Sequence, residues 1–139
     1  MTVITGSLNL NTKGNTDIFD ITNDVAHLVQ QSGLRSGTVT VFCPSSTSGV
    51  TTVEFEPGAV ADLKRMFEEL VPSKRDYAHN ATWHDGNGYA HLRASLQGPS
   101  LTIPFINKQL LLGTWQQIIL IDFDNRPRKR KIVVQLTGI

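Results

Sequence analysis

The sequence predicts a single α+β domain spanning residues 1–139, with antiparallel β-sandwich-like sheets and about two packed helices. Three observations lead there. Roughly eight strand-like segments mostly follow one another directly, with turn signals between them, which favours antiparallel pairing. Only two stretches carry apolar residues at helical spacing. Hydrophobic residues make up 40% of the 139, enough to build one ordinary core, and no repeat or low-complexity segment marks a boundary.

The elements follow in order. Val3 to Leu10 reads as a strand, with Ile4, Leu8 and Leu10 apolar. Gly14-Asn15 is a turn and Ile18-Phe19-Asp20-Ile21 a second short strand. Thr22 is a candidate N-cap for a helix that ends before Gly33, with Val25, Leu28 and Val29 at helical spacing. Gly37 to Cys43 is β-branched and reads as a buried strand, followed by the hydroxyl-rich turn Pro44–Gly49 and a strand over Val50 to Phe55. Pro57-Gly58 opens a helix to about Leu70, with Leu63, Met66, Phe67 and Leu70 as its apolar stripe. Ser73 to Asn87 reads as an irregular segment, and such a long connection in a small domain is usually functional or covers something. Tyr89 to Leu96 alternates apolar and polar residues and reads as a strand. Ser100 to Ile106 is a strand whose Pro104 suggests an edge or a bulge. Leu110 to Phe123 reads as one long strand bent at Gly113, and Asp124–Pro127 as a turn into a last strand over Lys131 to Leu136.

Composition narrows the function. Thirteen Lys and Arg against twelve Asp and Glu give a net charge of +1, so the molecule is no general polyanion binder. Five of the basic residues lie in Arg126–Lys131, but they straddle an expected hairpin, which makes nucleic acid an unlikely partner and a single phosphate a better one. No apolar run reaches the ~18 residues of a membrane span, and the first residues lack the pattern of a secretion signal. The lone Cys43 has no internal partner, which suits a cytoplasmic protein. No phosphate-binding glycine loop or nucleophile elbow is present.

Chemistry concentrates in His79–His91, which holds three of the four histidines together with Asp85 and Asn87. On a strand, Tyr89, His91, Arg93 and Ser95 would share one face beside that loop. The stretch is a candidate metal or phosphate site.

The sequence resembles the YjbQ-like family, often labelled secondary thiamine-phosphate synthases. The residues that carry the likeness are Tyr77-x-His79, Asp85-x-Asn87-x-x-x-His91-Leu92, Gly98-Pro99-Ser100, Gly113-Thr114-Trp115-Gln116-Gln117, Asp122-x-Asp124 and Arg128. One departure stands out: Ser45 occupies the position of the family's usual His in the turn after the Gly37–Cys43 strand, and Val53 that of its Asn. The resemblance implies a homotrimer and a transferase that joins a pyrimidine diphosphate to a thiazole phosphate. It implies His79, His91 and His84 as ligands of a divalent metal, zinc before magnesium. Glu54, Asp85 and Asn87 become candidate catalytic groups, and Arg93, Gln116 and Arg126 candidate phosphate binders. Trp115 is a ring-stacking residue or a core tryptophan. Two rival readings use the same residues: a metal-dependent phosphate-ester hydrolase, and a non-enzymatic trimeric protein that holds a metal or small anion.

Overall fold

The structure, a computed structural model, describes residues 1–139 as two antiparallel sheets and four helices. The strands are β1 (Thr2–Thr12), β2 (Asp17–Asp20), β3 (Ser36–Phe42), β4 (Ser48–Val53), β5 (Ser100–Ile106), β6 (Gln109–Leu110), β7 (Gln117–Asp122) and β8 (Arg128–Gly138). The helices are α1 (Thr22–Gln31), α2 (Pro57–Leu70), α3 (Ala78–Trp83) and α4 (Gly88–Gln97). Five strands form one sheet in the order β1-β8-β3-β5-β6, and three form the other in the order β2-β7-β4.

Strand β7 is the centre of the molecule. Its run Ile118-Ile119-Leu120-Ile121 is fully buried, as expected for a strand covered on both faces. Ile118 and Leu120 meet Val39, Val41, Ile103, Val134 and Leu136 of the larger sheet, with Val25 and Val29 of α1 in the same cluster. Ile119 and Ile121 face the other way, onto Phe67 of α2 and Tyr89, Ala90 and Ala94 of α4. The chain is therefore layered as sheet, sheet and helices.

Thr22 is the first residue of α1 and not its N-cap, a place taken by Ile21 with no side-chain cap. Its hydroxyl donates to Asp20 and accepts from the Ile118 backbone N–H at 2.8 Å, which ties α1 to β7. Glu56 caps α2 by accepting from the backbone N–H groups of Gly58 and Ala59.

Two expected strands are corrected. Tyr89–Leu96 is helix α4, because Ala, Leu, Arg and Gln are good helix formers and none of its residues is β-branched. Its apolar alternation is misleading: Leu92 and Leu96 are exposed, while Ala90, Arg93 and Ala94 are buried at helical spacing. Leu110–Phe123 is two short strands separated by an irregular stretch, in which Gly113 and Gln116 bond one another. The irregular segment before Asn87 contains α3, so the helices number four and not two. No helix is long and apolar enough to cross a membrane.

The helical assignment of α4 sets up a contrast between two substitutions. Ala94→Leu, forced against β7 and α2, costs about 1–3 kcal/mol, whereas Leu92→Ala on the solvent side stays within roughly 0.5 kcal/mol. Urea unfolding of the two variants measures this; equal losses would mean that α4 is packed through the alternating set after all.

Candidate functional site

Strand β7 carries its apolar run outward to two carboxylates, Asp122 and Asp124, both fully buried. A buried carboxylate must be paired or protonated. The partners come from the start of β8, where side chains two residues apart share a face. Arg130 Nε and Nη2 lie 2.7 and 2.9 Å from the two oxygens of Asp122. Arg128 Nε and Nη2 both reach Asp124 Oδ2 at 2.8 Å. Arg130 also donates to the hydroxyls of Ser45 and Thr47, at 2.8 and 2.7 Å, and so fixes the turn between β3 and β4.

The opposite wall comes from α3 and α4. Gly88 begins α4 hard against Tyr77, where a Cβ would lie 2.6 Å from the tyrosine's own Cβ. Only glycine permits that approach. The Asn80 side chain accepts from the Gly88 backbone N–H at 2.8 Å and locks the two helices together. His79 of α3 and His91 of α4 are thereby stacked, with ring centroids 4.1 Å apart and a 50° tilt.

Asn87 joins the two walls. Its amide nitrogen donates to Asp124 Oδ1 at 3.2 Å, so its amide oxygen faces His79 Nε2 at 3.1 Å and accepts from it. Nε2 is therefore the donor of His79 in this bond. Asp85 Oδ1 lies 3.7 Å from the same Nε2. An open polar basin of about 490 Å³ results, with Ser45, Thr47, His79, Asp85, Asn87, His91, Arg128 and Arg130 on its walls and Trp83 on its rim.

Charge is finely balanced in the basin. Burial pushes the Asp124 carboxyl up, but the hydrogen bonds from Asn87, the Asn125 backbone and Arg128 outweigh it and hold it below the usual carboxylate range. Burial also works against the Arg130 charge, and Asp122 more than compensates. For His91, burial and then the neighbouring His79 lower the imidazole below its ordinary value, more than Asp124 and Asp85 raise it. His91 is therefore neutral at neutral pH.

Of the residues anticipated from sequence, His79, His91, Asp85 and Asn87 are brought together. Six others are not. Arg93 is buried on the far side of α4, bound to Glu68 at 2.7 Å, to the Val71 carbonyl and to the Thr16 hydroxyl. A helix keeps Tyr89 and Arg93 on one side, with the guanidinium 4.9 Å from the ring centroid, and turns His91 to another, so the shared polar face does not exist. His84 is the exposed left-handed C-cap of α3 and does not line the basin. Arg126 is exposed on the turn before β8. Glu54, Trp115 and Gln116 sit at the other end of the β4–β7 ladder, about 20 Å from Thr47 at ~3.3 Å per strand residue. Trp115 is 69% exposed and not part of the core. The residues missed from sequence are Ser45, Thr47, Asp122, Asp124, Arg128 and Arg130 in these roles; the signal was Asp-x-Asp after an apolar run and Arg-x-Arg opening a strand.

Two imidazoles and a carboxylate are donor types that zinc accepts. No three His, Cys, Asp or Glu side chains converge tightly enough to hold a metal ion, so the donor set fits only in part.

Comparison with known proteins places this geometry in context. The profile of the UPF0047 protein YjbQ-like family matches residues 6–139. A UPF0047 protein of Methanothermobacter thermautotrophicus is 41% identical over 138 residues, covering 99% of this chain and 94% of that protein. The UPF0047 protein YugU of Bacillus subtilis is 34% identical, covering 95% and 98%. Among solved structures, a YbjQ-like protein of unknown function from Sulfolobus solfataricus superposes with a TM-score of 0.90 at 28% identity, over 99% of this chain and 100% of that one. An uncharacterised YjbQ/UPF0047 family protein from Clostridium acetobutylicum gives 0.86 at 37% identity, over 94% and 98%.

Two outcomes are expected at the site. Arg130→Met strands the Asp122 carboxylate and costs about 3–5 kcal/mol in denaturant unfolding. His91 binds fewer protons folded than unfolded, so stability falls as pH drops through the range below about 6.5, between the unfolded imidazole value and the lower folded one. Thermal melts from pH 7.5 to 5 should show that fall in the parent and a flatter profile in His91→Gln.

Proposed function

The chain belongs to the UPF0047 YjbQ-like family, and we propose that its basin binds and transforms a small phosphate-bearing metabolite. The observation that carries this reading is the relay from His79 through Asn87 to Asp124 and Arg128, along one wall of an open basin. Arg128 spends Nε and Nη2 on Asp124 and offers its remaining edge to an oxyanion. His91, neutral beside His79, supplies a proton acceptor. Asp85 and Asn87 orient His79.

Within that class, the transfer of a pyrimidine from its diphosphate to a thiazole phosphate is the specific reaction the family label supplies. A basin of about 490 Å³ with Trp83 on its rim has room for one such ligand. Phosphate-ester hydrolysis is the second reading. The neutral imidazole of His91 favours it, since it can take a proton from attacking water and return it to the departing ester oxygen, which leaves as the alcohol. For a divalent metal, His79 and His91 would supply nitrogen donors, which suit zinc better than magnesium, but no third His, Cys, Asp or Glu converges with them. Such an ion would neutralise charge on a phosphoryl oxygen. A cytoplasmic homotrimer completes the proposal; Phe55, Leu70, Leu111 and Trp115 are exposed apolar side chains that an interface would cover. Assembly is also the route by which Glu54 and Gln116 of another subunit would reach a basin.

The test uses untagged protein purified without added metal. Its zinc content is measured, and turnover is followed with the pyrimidine diphosphate plus thiazole phosphate pair and with simple phosphate esters, with and without chelator. We expect turnover in one assay, reduced about 100-fold or more in His91→Ala, and a raised KM in Arg128→Gln. Stoichiometric zinc lost in His79→Ala/His91→Ala would support the metal. A parent that neither binds nor turns over any of these phosphates would overturn the enzymatic reading and leave a non-enzymatic trimeric protein.

A further inference from the structure

Asn87 and Gly88 form the one Asn-Gly pair in the chain. Each residue answers a different demand. Asn87 presents a donor to Asp124 Oδ1 and an acceptor to His79 Nε2, which a short side-chain amide does in one group. Gly88 must lack a Cβ, because that atom would lie 2.6 Å from the Tyr77 Cβ. The fold therefore sets the amide that links its two walls before the residue that shields it least.

An asparagine followed by glycine has a spontaneous reaction open to it. The glycine backbone nitrogen attacks the asparagine Cγ, and the bond from Cγ to the side-chain nitrogen breaks. That nitrogen leaves as ammonia, carrying the proton from the glycine N–H. Water then opens the resulting succinimide at either carbonyl, giving aspartate or isoaspartate. In the native fold this path is blocked. The Gly88 N–H donates to Asn80 Oδ1 at 2.8 Å, and Gly88 is the first residue of α4. Asn87 is buried, with both of its amide atoms engaged. The block is only as strong as α3, however: Asn80 sits on a six-residue helix that buries none of its residues. Fraying of α3 removes Asn80 and His79 together and leaves the Asn-Gly pair at a free helix end, while α4 stays packed through Ala90 and Ala94.

We propose that Asn87 is a self-modification site: deamidation through Gly88, restrained by Asn80, converts it to aspartate or isoaspartate and dismantles the bridge between the basin's two walls. A carboxylate at position 87 sets a second negative charge against the buried Asp124 and removes the donor that held it. Isoaspartate also lengthens the main chain by a methylene where α4 meets Tyr77. Water is the only co-reactant, and the reaction does not depend on what the basin binds.

The experiment incubates the folded full chain in mildly alkaline buffer and follows, by mass spectrometry, the proteolytic peptide that contains Asn87. Conversion adds the difference in mass between an acid and an amide; isomerisation at the neighbouring Asp85-Gly86 pair adds none. The urea-unfolded chain gives the unrestrained rate. We expect the parent to convert at least about tenfold more slowly than that. Asn80→Ala should convert about two- to tenfold faster than the parent, the factor one hydrogen bond supplies. Asn80→Asp, which keeps the acceptor, should be no faster than the parent, and Asn87→Gln should show no measurable gain. Asn87→Asp should melt below the parent, by more at pH 8 than at pH 5, because a carboxylate beside Asp124 holds its proton more tightly folded than unfolded. Should Asn80→Ala lose its native melt, the parent in urea below its midpoint decides: conversion and hydrogen exchange of the Gly88 amide should rise together. The proposal is overturned by a parent that converts as fast as the unfolded chain, by a folded Asn80→Ala no faster than the parent, by conversion that follows global unfolding alone, or by an Asn87→Asp that melts like the parent.

Discussion

The burial of Asp122 and Asp124 at the end of β7 is the constraint on which the rest depends. A strand apolar on both faces has to end somewhere, and this one ends in two carboxylates with no access to water. Left alone, they would take up protons or open the core. The start of β8 brings Arg128 and Arg130 to them, and Arg130 in turn holds Ser45 and Thr47. Asn87 approaches from the helical side, and the backbone N–H of the adjacent Asn125 binds the same Asp124. Sheet, turn and helix are thus fixed at one point, where their polar ends form the basin.

The imidazole pair follows from the same point. His79 is oriented through Asn87, and Asn87 through Asp124. His91 is positioned separately, by the packing of Ala90 and Ala94 on β7. The two rings meet because Gly88 lets α4 start against Tyr77. Protonating both rings would place two charges about 4 Å apart, and burial of His91 already opposes the first.

Much of the fold is legible in the sequence, because most strands obey a period of two and α1 and α2 carry apolar stripes. The failure at α4 is instructive. Ala90, Leu92, Ala94 and Leu96 fit a strand's alternation, and nothing local says that the leucines are the exposed members. Tertiary packing decides, through small alanines pressed against a flat strand. In the His-rich stretch, His79, Asp85, Asn87 and His91 converge on one basin. Arg93 and Arg126 were drawn in by charge, yet one arginine is consumed by Glu68 and the other lies outside. Arg128 and Arg130 are the ones that matter at the basin, and only the three-dimensional position of Asp122 and Asp124 singles them out. The membership in the UPF0047 YjbQ-like family is likewise readable from motifs, while the reaction is not.

The two walls of the basin differ in how deeply they are anchored. Ile118–Ile121 has no exposed side chain, so the floor beneath Asp122 and Asp124 yields only when the whole domain opens. Helix α3 is six residues long and buries none of them. It can fray alone, carrying His79 and Trp83 away while the carboxylate–arginine floor stays intact. Amide exchange would then run through Ala78–Trp83 long before it reached β7.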